Sequence, residues 1–103
     1  MSKYHAQPTI VDGIRFDSKA EARRYGELLL LQRAGHIHEL ELQPPFELHV
    51  NGIMIGRYVA DFRYLDEAGK YVVEDVKGVK TPMYRWKQKH MKAQYGIEIR
   101  ETS

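Results

Sequence analysis

The chain has 103 residues, a formal net charge of +2 and no cysteine. This length fits one domain of the commonest size, so we expect a single domain over residues 1–103. No apolar run approaches the roughly 20 residues that a membrane-spanning helix needs. The lack of cysteine excludes disulfide bonds and thiolate zinc sites. The start of the chain shows no secretory signal pattern, so a reducing cytoplasm is the expected location.

The N-terminal third predicts a hairpin followed by a helix. Residues 1–8 are polar and end in proline, which predicts a flexible arm. Asp12-Gly13 is the dipeptide best suited to a type I′ turn, so the short apolar runs beside it should pair as a hairpin. Ser18 and Glu21 have the spacing of a capping box, which predicts a helix that continues through Leu31 and is ended by Gly35.

The rest of the chain predicts strands and a second helix. A first strand over 37–42 resumes over 46–50, two further strands cover 53–65 and 71–76, and a helix over 83–94 and a last strand over 97–100 follow. Gln43-Pro44-Pro45 should end or bend the first strand, and Asn51-Gly52 is a second hairpin turn. The predicted order is hairpin-α-β-β-β-α-β, an α/β fold in which helices flank a mixed β-sheet.

Charged residues on two neighbouring predicted strands suggest a metal site. Because side chains alternate along a strand, Asp75 and Lys77 lie on one face while Glu74 and Val76 lie on the other. Asp61 is on the preceding strand, and side chains on one face of paired strands approach within roughly 5 Å. Two carboxylates there favour a cation such as Mg²⁺, which takes oxygen ligands. Lys77 would orient or help deprotonate an attacking water, or stabilise charge on a phosphate.

Glu21 is a third candidate acid. It shares a helix stripe with Tyr25 and Leu28, so its carboxylate should face the sheet. It could instead only complete the capping box with Ser18, or contact a metal through water. The strand acids also have a simpler interpretation as salt-bridged charges on a solvated sheet face, although their combination with a lysine argues against it.

This pattern resembles the PD-(D/E)XK nuclease superfamily. Val59-Ala60-Asp61 is similar to the first half of its motif and Asp75-Val76-Lys77 to the second, although proline is commonest at the second position and glutamate is frequent at position 75. The predicted element order also resembles the restriction-endonuclease-like core of that superfamily. A small phage-encoded family related to Holliday junction resolvases is more closely similar. That similarity covers Asp12-Gly13-Ile14, residues 16–21, Gln43-Pro44-Pro45 and Val76-Lys77-Gly78.

The resemblance implies roles for individual residues. Glu21, Asp61 and Asp75 would bind Mg²⁺ or Mn²⁺, and Lys77 would join them as the catalytic lysine. Gln43 would support the metal ligands or position the backbone. If the chain is phage-encoded, its location would be the cytoplasm of a bacterial host cell.

The second predicted helix and the residues before it are basic, with aromatic residues interspersed. This combination suits phosphate contacts and base stacking, and an uneven charge distribution suggests a polyanionic partner. The candidate DNA-binding residues are Lys80, Thr81, Arg85, Lys87, Lys89 and Lys92. Alternatively, Met83, Trp86, His90 and Tyr95 pack on the sheet while the lysines are only solvated.

The leading hypothesis is therefore a metal-dependent DNA endonuclease, structure-specific and resolvase-like, that acts on branched or junction DNA in phage recombination or DNA processing. Symmetric cutting of a junction takes two active sites, so a homodimer is expected. No nucleotide cofactor and no membrane partner are expected. A DNA-binding accessory module, inactive alone or dependent on a partner protein, is the alternative from another class. A nuclease that acts on ends or nicks remains open within the enzyme class.

Overall fold

The structure, a computed structural model, describes residues 7–103. Most of the predicted arm, residues 1–6, lies outside the described residues. Within the described part the elements are β1 (Thr9–Val11), β2 (Ile14–Phe16), α1 (Lys19–Arg33), β3 (His38–Leu42), β4 (Pro45–Val50), β5 (Ile53–Val59), β6 (Phe62–Leu65), β7 (Tyr71–Val76), α2 (Pro82–Tyr95) and β8 (Arg100–Thr102). The prediction of an α/β fold with two helices is confirmed.

The predicted turn residues have the backbone geometry that their hairpins need. Asp12 and Gly13 have φ angles of 53° and 77° between β1 and β2, and Asn51 and Gly52 have 52° and 79° between β4 and β5. Positive φ at both central positions matches the twist of antiparallel strands, and Asp, Asn and Gly tolerate it best. Both predicted hairpins are therefore confirmed.

Capping residues set the ends of both helices. The Ser18 hydroxyl accepts a hydrogen bond from the Glu21 N–H at 3.1 Å, and the Thr81 hydroxyl accepts one from the Tyr84 N–H at the same distance. Each bond satisfies one of the N–H groups that a helix N-terminus leaves without a partner. Gly96 ends α2 with a left-handed φ of 69°. Within residues 7–103, no helix is long and apolar enough to cross a membrane.

A four-stranded mixed sheet forms the centre of the fold. Its order is β3-β6-β7-β8, in which β7 is antiparallel to β6 and parallel to β8. The parallel pair requires a crossover, and α2 supplies it. Strand β7, predicted from its β-branched run to be central, has neighbours on both sides. The mixed sheet that the sequence predicted is confirmed.

The chain between the helices contains more strands than predicted. The run over 53–65 is two strands in different sheets, because the chain turns at Ala60 and Asp61. The Ala60 N–H donates to the Pro44 carbonyl at 3.1 Å, and the Gln43 N–H donates to the Asp61 carbonyl at 2.9 Å. These bonds hold the turn against the buried Pro44. Strands β4 and β5 therefore form a separate two-stranded sheet. They lie between β3 and β6 in the chain, while β3 and β6 pair directly with each other.

The last predicted strand is displaced along the chain. The sequence pattern placed it at 97–100, whereas β8 spans Arg100–Thr102. Ile99 is buried in the apolar cluster beneath α2, so the residues after Gly96 pack on that cluster before pairing with β7 begins. The apolar pattern at 97 and 99 therefore reflected burial of a loop.

Two apolar clusters cover opposite faces of the sheet. The cluster beneath α1 comprises Phe16, Ala22, Tyr25, Leu28, Ile37, Phe62, Tyr64 and Val76. The cluster beneath α2 and the β4–β5 hairpin comprises Phe46, Leu48, Tyr58, Ala60, Val73, Tyr84, Met91 and Ile99. Because side chains alternate along β7, Glu74 and Val76 face α1, while Val73 and Asp75 face α2.

Candidate active site

Asp61 and Asp75 are held together by two reciprocal hydrogen bonds. The Asp61 N–H donates to Asp75 Oδ1 at 2.8 Å, and the Val76 N–H donates to Asp61 Oδ2 at 2.8 Å. Each aspartate thus binds the backbone of the segment that carries the other. The predicted proximity of these two acids is confirmed. It depends on the turn at Asp61, which follows β5 and directly precedes β6.

The Asp75 carboxylate is buried, and its pKa is raised. Only 1% of the residue is exposed, and its Oδ2 accepts a hydrogen bond from the Tyr58 hydroxyl. Burial, followed by the nearby Asp61 charge, raises the pKa of Asp75 from 3.8 to about 6. Burial and the Asp75 charge also raise the pKa of Tyr58 above its ordinary value, so its hydroxyl remains a donor. A buried acid beside a second acid is a site where a cation would be stabilised.

Lys77 lies on the same face as Asp75, as the strand alternation predicted. Its Nζ is 3.6 Å from Asp75 Oδ2 and 4.1 Å from the centroid of the Tyr84 ring. The ring provides a cation–π contact, and the Lys77 N–H bonds the Thr102 carbonyl at 2.8 Å. The side chain is 21% exposed, so the ammonium group is positioned by the protein and still reaches solvent.

Glu74, on the opposite face of β7, is part of a different kind of arrangement. It is fully buried, and Arg24 donates to both of its oxygens, at 2.6 and 3.1 Å. Tyr64 and Thr102 donate to it as well. Burial alone would raise the pKa of Glu74, but the hydrogen bonds from Arg24 and Tyr64 outweigh it and lower the pKa. This acid is paired and satisfied, and it fastens α1 to the sheet.

Glu21 is buried on α1, with 2% of its surface exposed. The expectation that it faces inward with Tyr25 and Leu28 is confirmed, as is the capping bond between its N–H and Ser18. Within residues 7–103, no group of three or more His, Asp or Glu side chains is arranged to hold one metal ion. The acids that the structure brings together are Asp61 and Asp75, and a metal-binding role for Glu21 stays a prediction.

Gln43 contacts the site through its backbone. Its N–H bonds the Asp61 carbonyl at 2.9 Å, and its own φ of 52° places it in the left-handed region. Its side chain is exposed. Of the two roles implied for Gln43, positioning the backbone is the one that this geometry matches.

The six candidate DNA-binding residues are dispersed around α2. Lys87 and Thr81 line a depression that begins at Lys77, and the Thr81 hydroxyl also caps the helix. Lys89 and Lys92 line a different depression beside 97–99, where Lys92 pairs with Glu98 at 2.9 Å. The remaining two, Lys80 and Arg85, are exposed, and Lys80 pairs with Glu101 at 2.9 Å.

The large apolar side chains of α2 do not all pack against the sheet. Tyr84 and Met91 pack in the core, whereas Met83 and Trp86 are 62% and 46% exposed. The alternative in which Met83 and Trp86 pack on the sheet is therefore wrong for these two residues. Tyr84 and Met91 are two turns apart on the buried face of α2, whereas Met83 and Trp86 lie on its exposed side.

Sequence reasoning missed three residues near the site. Tyr58 contacts Asp75, Arg57 lines the depression beside Lys77, and Glu101 accepts a hydrogen bond from the Tyr84 hydroxyl at 2.8 Å. The single cation at position 57 in an otherwise apolar run was a usable signal. Pairing of Tyr58 with Asp75 was not visible, because these strands belong to different sheets.

The site thus combines two adjacent carboxylates, a lysine and a basic depression. Hard oxygen donors match the preference of Mg²⁺, which proteins bind through one or two carboxylates completed by substrate phosphates. The donor set present here therefore fits a divalent cation of this type.

Comparisons with known proteins give a family assignment. No curated protein and no solved structure matches the chain. A family model described as "Protein of unknown function (DUF1064)" matches residues 1–102. Because the match covers nearly the whole chain, the chain belongs to this DUF1064 family.

Proposed function

We propose that this chain is a metal-dependent DNA endonuclease that hydrolyses phosphodiester bonds. The observation that carries the proposal is the cluster of Asp61, Asp75 and Lys77 at the edge of a basic depression. Two adjacent acids joined by reciprocal hydrogen bonds, one of them with a raised pKa, are features of a functional site. For stability alone, apolar side chains at these two positions would serve better.

The fold supports the same proposal. When the β4–β5 hairpin is set aside, the order is α1, β3, β6, β7, α2 and β8, with β7 and β8 parallel. This order is similar to the restriction-endonuclease-like core, and we propose that the chain is a variant of it. In such a variant the acids and the lysine would be those on the turn before β6 and at the end of β7.

The roles of the residues follow from their positions. Asp61 and Asp75 would hold Mg²⁺ or Mn²⁺, which when bound polarises a phosphoryl group and makes water a better nucleophile. Lys77, steadied by the Tyr84 ring, faces the depression and would stabilise charge developing on the phosphate. Tyr58 holds the Asp75 carboxylate in place. Glu21 would assist from α1, as the family resemblance implies.

The substrate we propose is branched DNA, cut by a homodimer. The described part of one chain, residues 7–103, carries one such cluster, and symmetric incision of a junction takes two. Incision at ends or nicks would instead suit a monomer, so substrate preference and assembly state test this part together.

A second candidate is a DNA-binding accessory module without cleavage activity of its own. One observation favours it: both oxygens of Asp75 already accept hydrogen bonds, from the Asp61 N–H and the Tyr58 hydroxyl. Each carboxylate oxygen has a further lone pair, so metal binding is compatible with these bonds.

The test is cleavage of a labelled four-way junction beside linear duplex and single strand, with Mg²⁺, Mn²⁺ or chelator. We expect paired metal-dependent cuts in the junction, and loss of cutting in Lys77→Ala and Asp75→Asn. Lys70→Ala is the matched control, because Lys70 is exposed in the β6–β7 turn. Sedimentation on junction DNA should show a dimer. Binding without cutting under every condition would establish the accessory module instead.

A further inference from the structure

A groove extends from Lys77 along the seam between β5 and α2. Its inner part begins beside Lys77 and Tyr58, and its outer part ends between Ile55 and Trp86. Three residues line both parts and join them, namely Arg57, Met83 and Lys87. The groove therefore leads directly from the candidate catalytic lysine to an exposed aromatic ring.

The inner part of the groove is basic. None of the described residues that line either part is acidic. Arg57 and Lys87 form no salt bridge with any described residue, in contrast to Lys80 and Lys92. Two cations that form no salt bridge with a described residue, beside the Lys77 ammonium, make this part of the groove complementary to a polyanion.

The outer part offers a rigid aromatic surface. Trp86 packs on His90 with ring centroids 5.3 Å apart and an interplanar angle of 32°, while 46% of Trp86 stays exposed. His90 is itself held, because its Nε2 lies 3.1 Å from the His49 carbonyl and 3.0 Å from the Gln94 side-chain oxygen. A ring fixed from behind and open in front costs little conformational entropy when a flat ligand stacks on it.

We propose that this groove binds a single DNA strand, with Arg57 and Lys87 on its phosphates and an unpaired base stacked on Trp86. A basic groove combined with an aromatic platform is how proteins bind single strands without sequence preference, since every base has a stacking face. In a duplex the bases are already stacked on each other and cannot reach the ring. The inference rests on the proposed function and deepens it: the substrate has unpaired nucleotides next to the bond that is cut.

Trp86 is also the reporter that tests the proposal, because it is the only tryptophan in the chain. Binding is measured in chelator, so the result is independent of cleavage. We expect a short oligothymidylate to quench the emission of Trp86, and a matched blunt duplex to quench it weakly. An oligomer of abasic nucleotides, which keeps the phosphates and lacks the bases, should also quench weakly.

Variants separate stacking from charge. By fluorescence anisotropy, Trp86→Ala should lose roughly tenfold or more in affinity for the oligothymidylate, within the range expected for one stacked base. Arg57→Ala and Lys87→Ala should weaken the oligothymidylate and the abasic oligomer alike. Lys70→Ala, which changes an exposed lysine that lines neither part of the groove, should leave both affinities unchanged.

Two results obtained with Trp86→Ala would overturn the inference. One is equal quenching and equal affinity for duplex and single strand, with Trp86→Ala unaffected. The other is a Trp86→Ala protein that binds DNA normally but changes its sedimentation from dimer to monomer, which would identify the groove as an interface between copies. Failure of single-strand binding in a protein that still cuts DNA would refute this inference and leave the proposed function standing. Single-strand binding without any cutting would refute the proposed endonuclease and leave the inference about the groove standing.

Discussion

Asp75 carries its charge in a position where burial opposes it. With a pKa raised to about 6, the folded protein binds a proton at this residue between about pH 4 and pH 6, where the unfolded chain does not. The free energy of unfolding should therefore fall as the pH rises through this window. At neutral pH the ionised Asp75 costs roughly 3 kcal/mol. Retaining such a group favours a functional role over a structural one.

Asp75→Asn should therefore stabilise the protein. We expect a free energy of unfolding at neutral pH higher by about 1–3 kcal/mol, and a flatter pH dependence between about pH 4 and pH 6. The asparagine keeps the shape and can still bond Tyr58 and the Asp61 N–H. Urea unfolding of both proteins at about pH 4 and at neutral pH measures the difference.

Asp17→Asn is the matched control for this prediction, since Asp17 is exposed and its removal should change stability little. A destabilised Asp75→Asn protein would show that the ionised carboxylate is stabilising in the fold. If the prediction holds, loss of cleavage in Asp75→Asn cannot be attributed to unfolding.

At the scale of elements, an ion pair beneath α1 joins that helix to β7. Arg24 donates to both oxygens of the fully buried Glu74, and Glu27 supports Arg24 from the next turn of the helix at 3.2 Å. The pair is therefore placed on the opposite face of the sheet from Asp75. Burial opposes ionisation of both neighbouring acids. The pKa of Glu74 is nevertheless lowered because Arg24 and Tyr64 donate to it, whereas burial and the Asp61 charge both raise the pKa of Asp75.

Removing Arg24 should be strongly destabilising, and removing the charge of Glu74 in addition should reverse most of the loss. Arg24→Met leaves a buried carboxylate without its cation, which typically costs about 3–5 kcal/mol. The double variant Arg24→Met/Glu74→Gln eliminates that charge while keeping bonds from Tyr64 and Thr102. Urea unfolding at neutral pH measures both proteins.

Lys92→Met serves as a control for loss of a salt bridge in general. Its pair with Glu98 is exposed, so the urea midpoint should barely move. If the double variant were no more stable than Arg24→Met alone, the cost would come from lost packing of the arginine stem, and the electrostatic account of the α1–β7 contact would be wrong.

At the scale of the whole molecule, attraction of a polyanion depends more on where the charges lie than on the net charge. The net charge is only +2, yet Arg57, Lys77 and Lys87 line one groove that contains no acid among its described lining residues. Three cations outside the groove are paired with acids, in Arg24–Glu74, Lys80–Glu101 and Lys92–Glu98. A nearly neutral protein can therefore attract a polyanion to one place.

The salt dependence of DNA binding should reflect this small number of groove cations. Each phosphate neutralised on a single strand contributes about −0.7 to the slope of log affinity against log salt concentration, so three contacts predict a slope of roughly −2. Lys87→Ala should reduce its magnitude by about 0.7, and Lys70→Ala should leave it unchanged. Anisotropy titrations over a salt series give the slope. A slope near zero would show that the groove cations do not contact phosphates.

Local features of the chain could be read from the sequence. Short-range rules determine them: Asp12-Gly13 and Asn51-Gly52 adopt the turn geometry that their side chains favour, and Ser18 caps α1. Alternation along a strand determined that Asp75 and Lys77 share a face and that Glu74 faces the other way. These features were predictable because each depends on neighbours within a few residues.

The assembled site depended on contacts that no local pattern encodes. The division of 53–65 into β5 and β6 requires the Gln43 and Pro44 backbone to hold the turn at Asp61, and only that turn clasps Asp61 against Asp75. The contact of Tyr58 with Asp75 joins two different sheets. The groove arises where β5 meets α2, elements more than twenty residues apart. The sequence by itself determined the turns, the caps and the residue types of the site, whereas the tertiary structure decided which of those residues meet, because packing between sheets sets those distances.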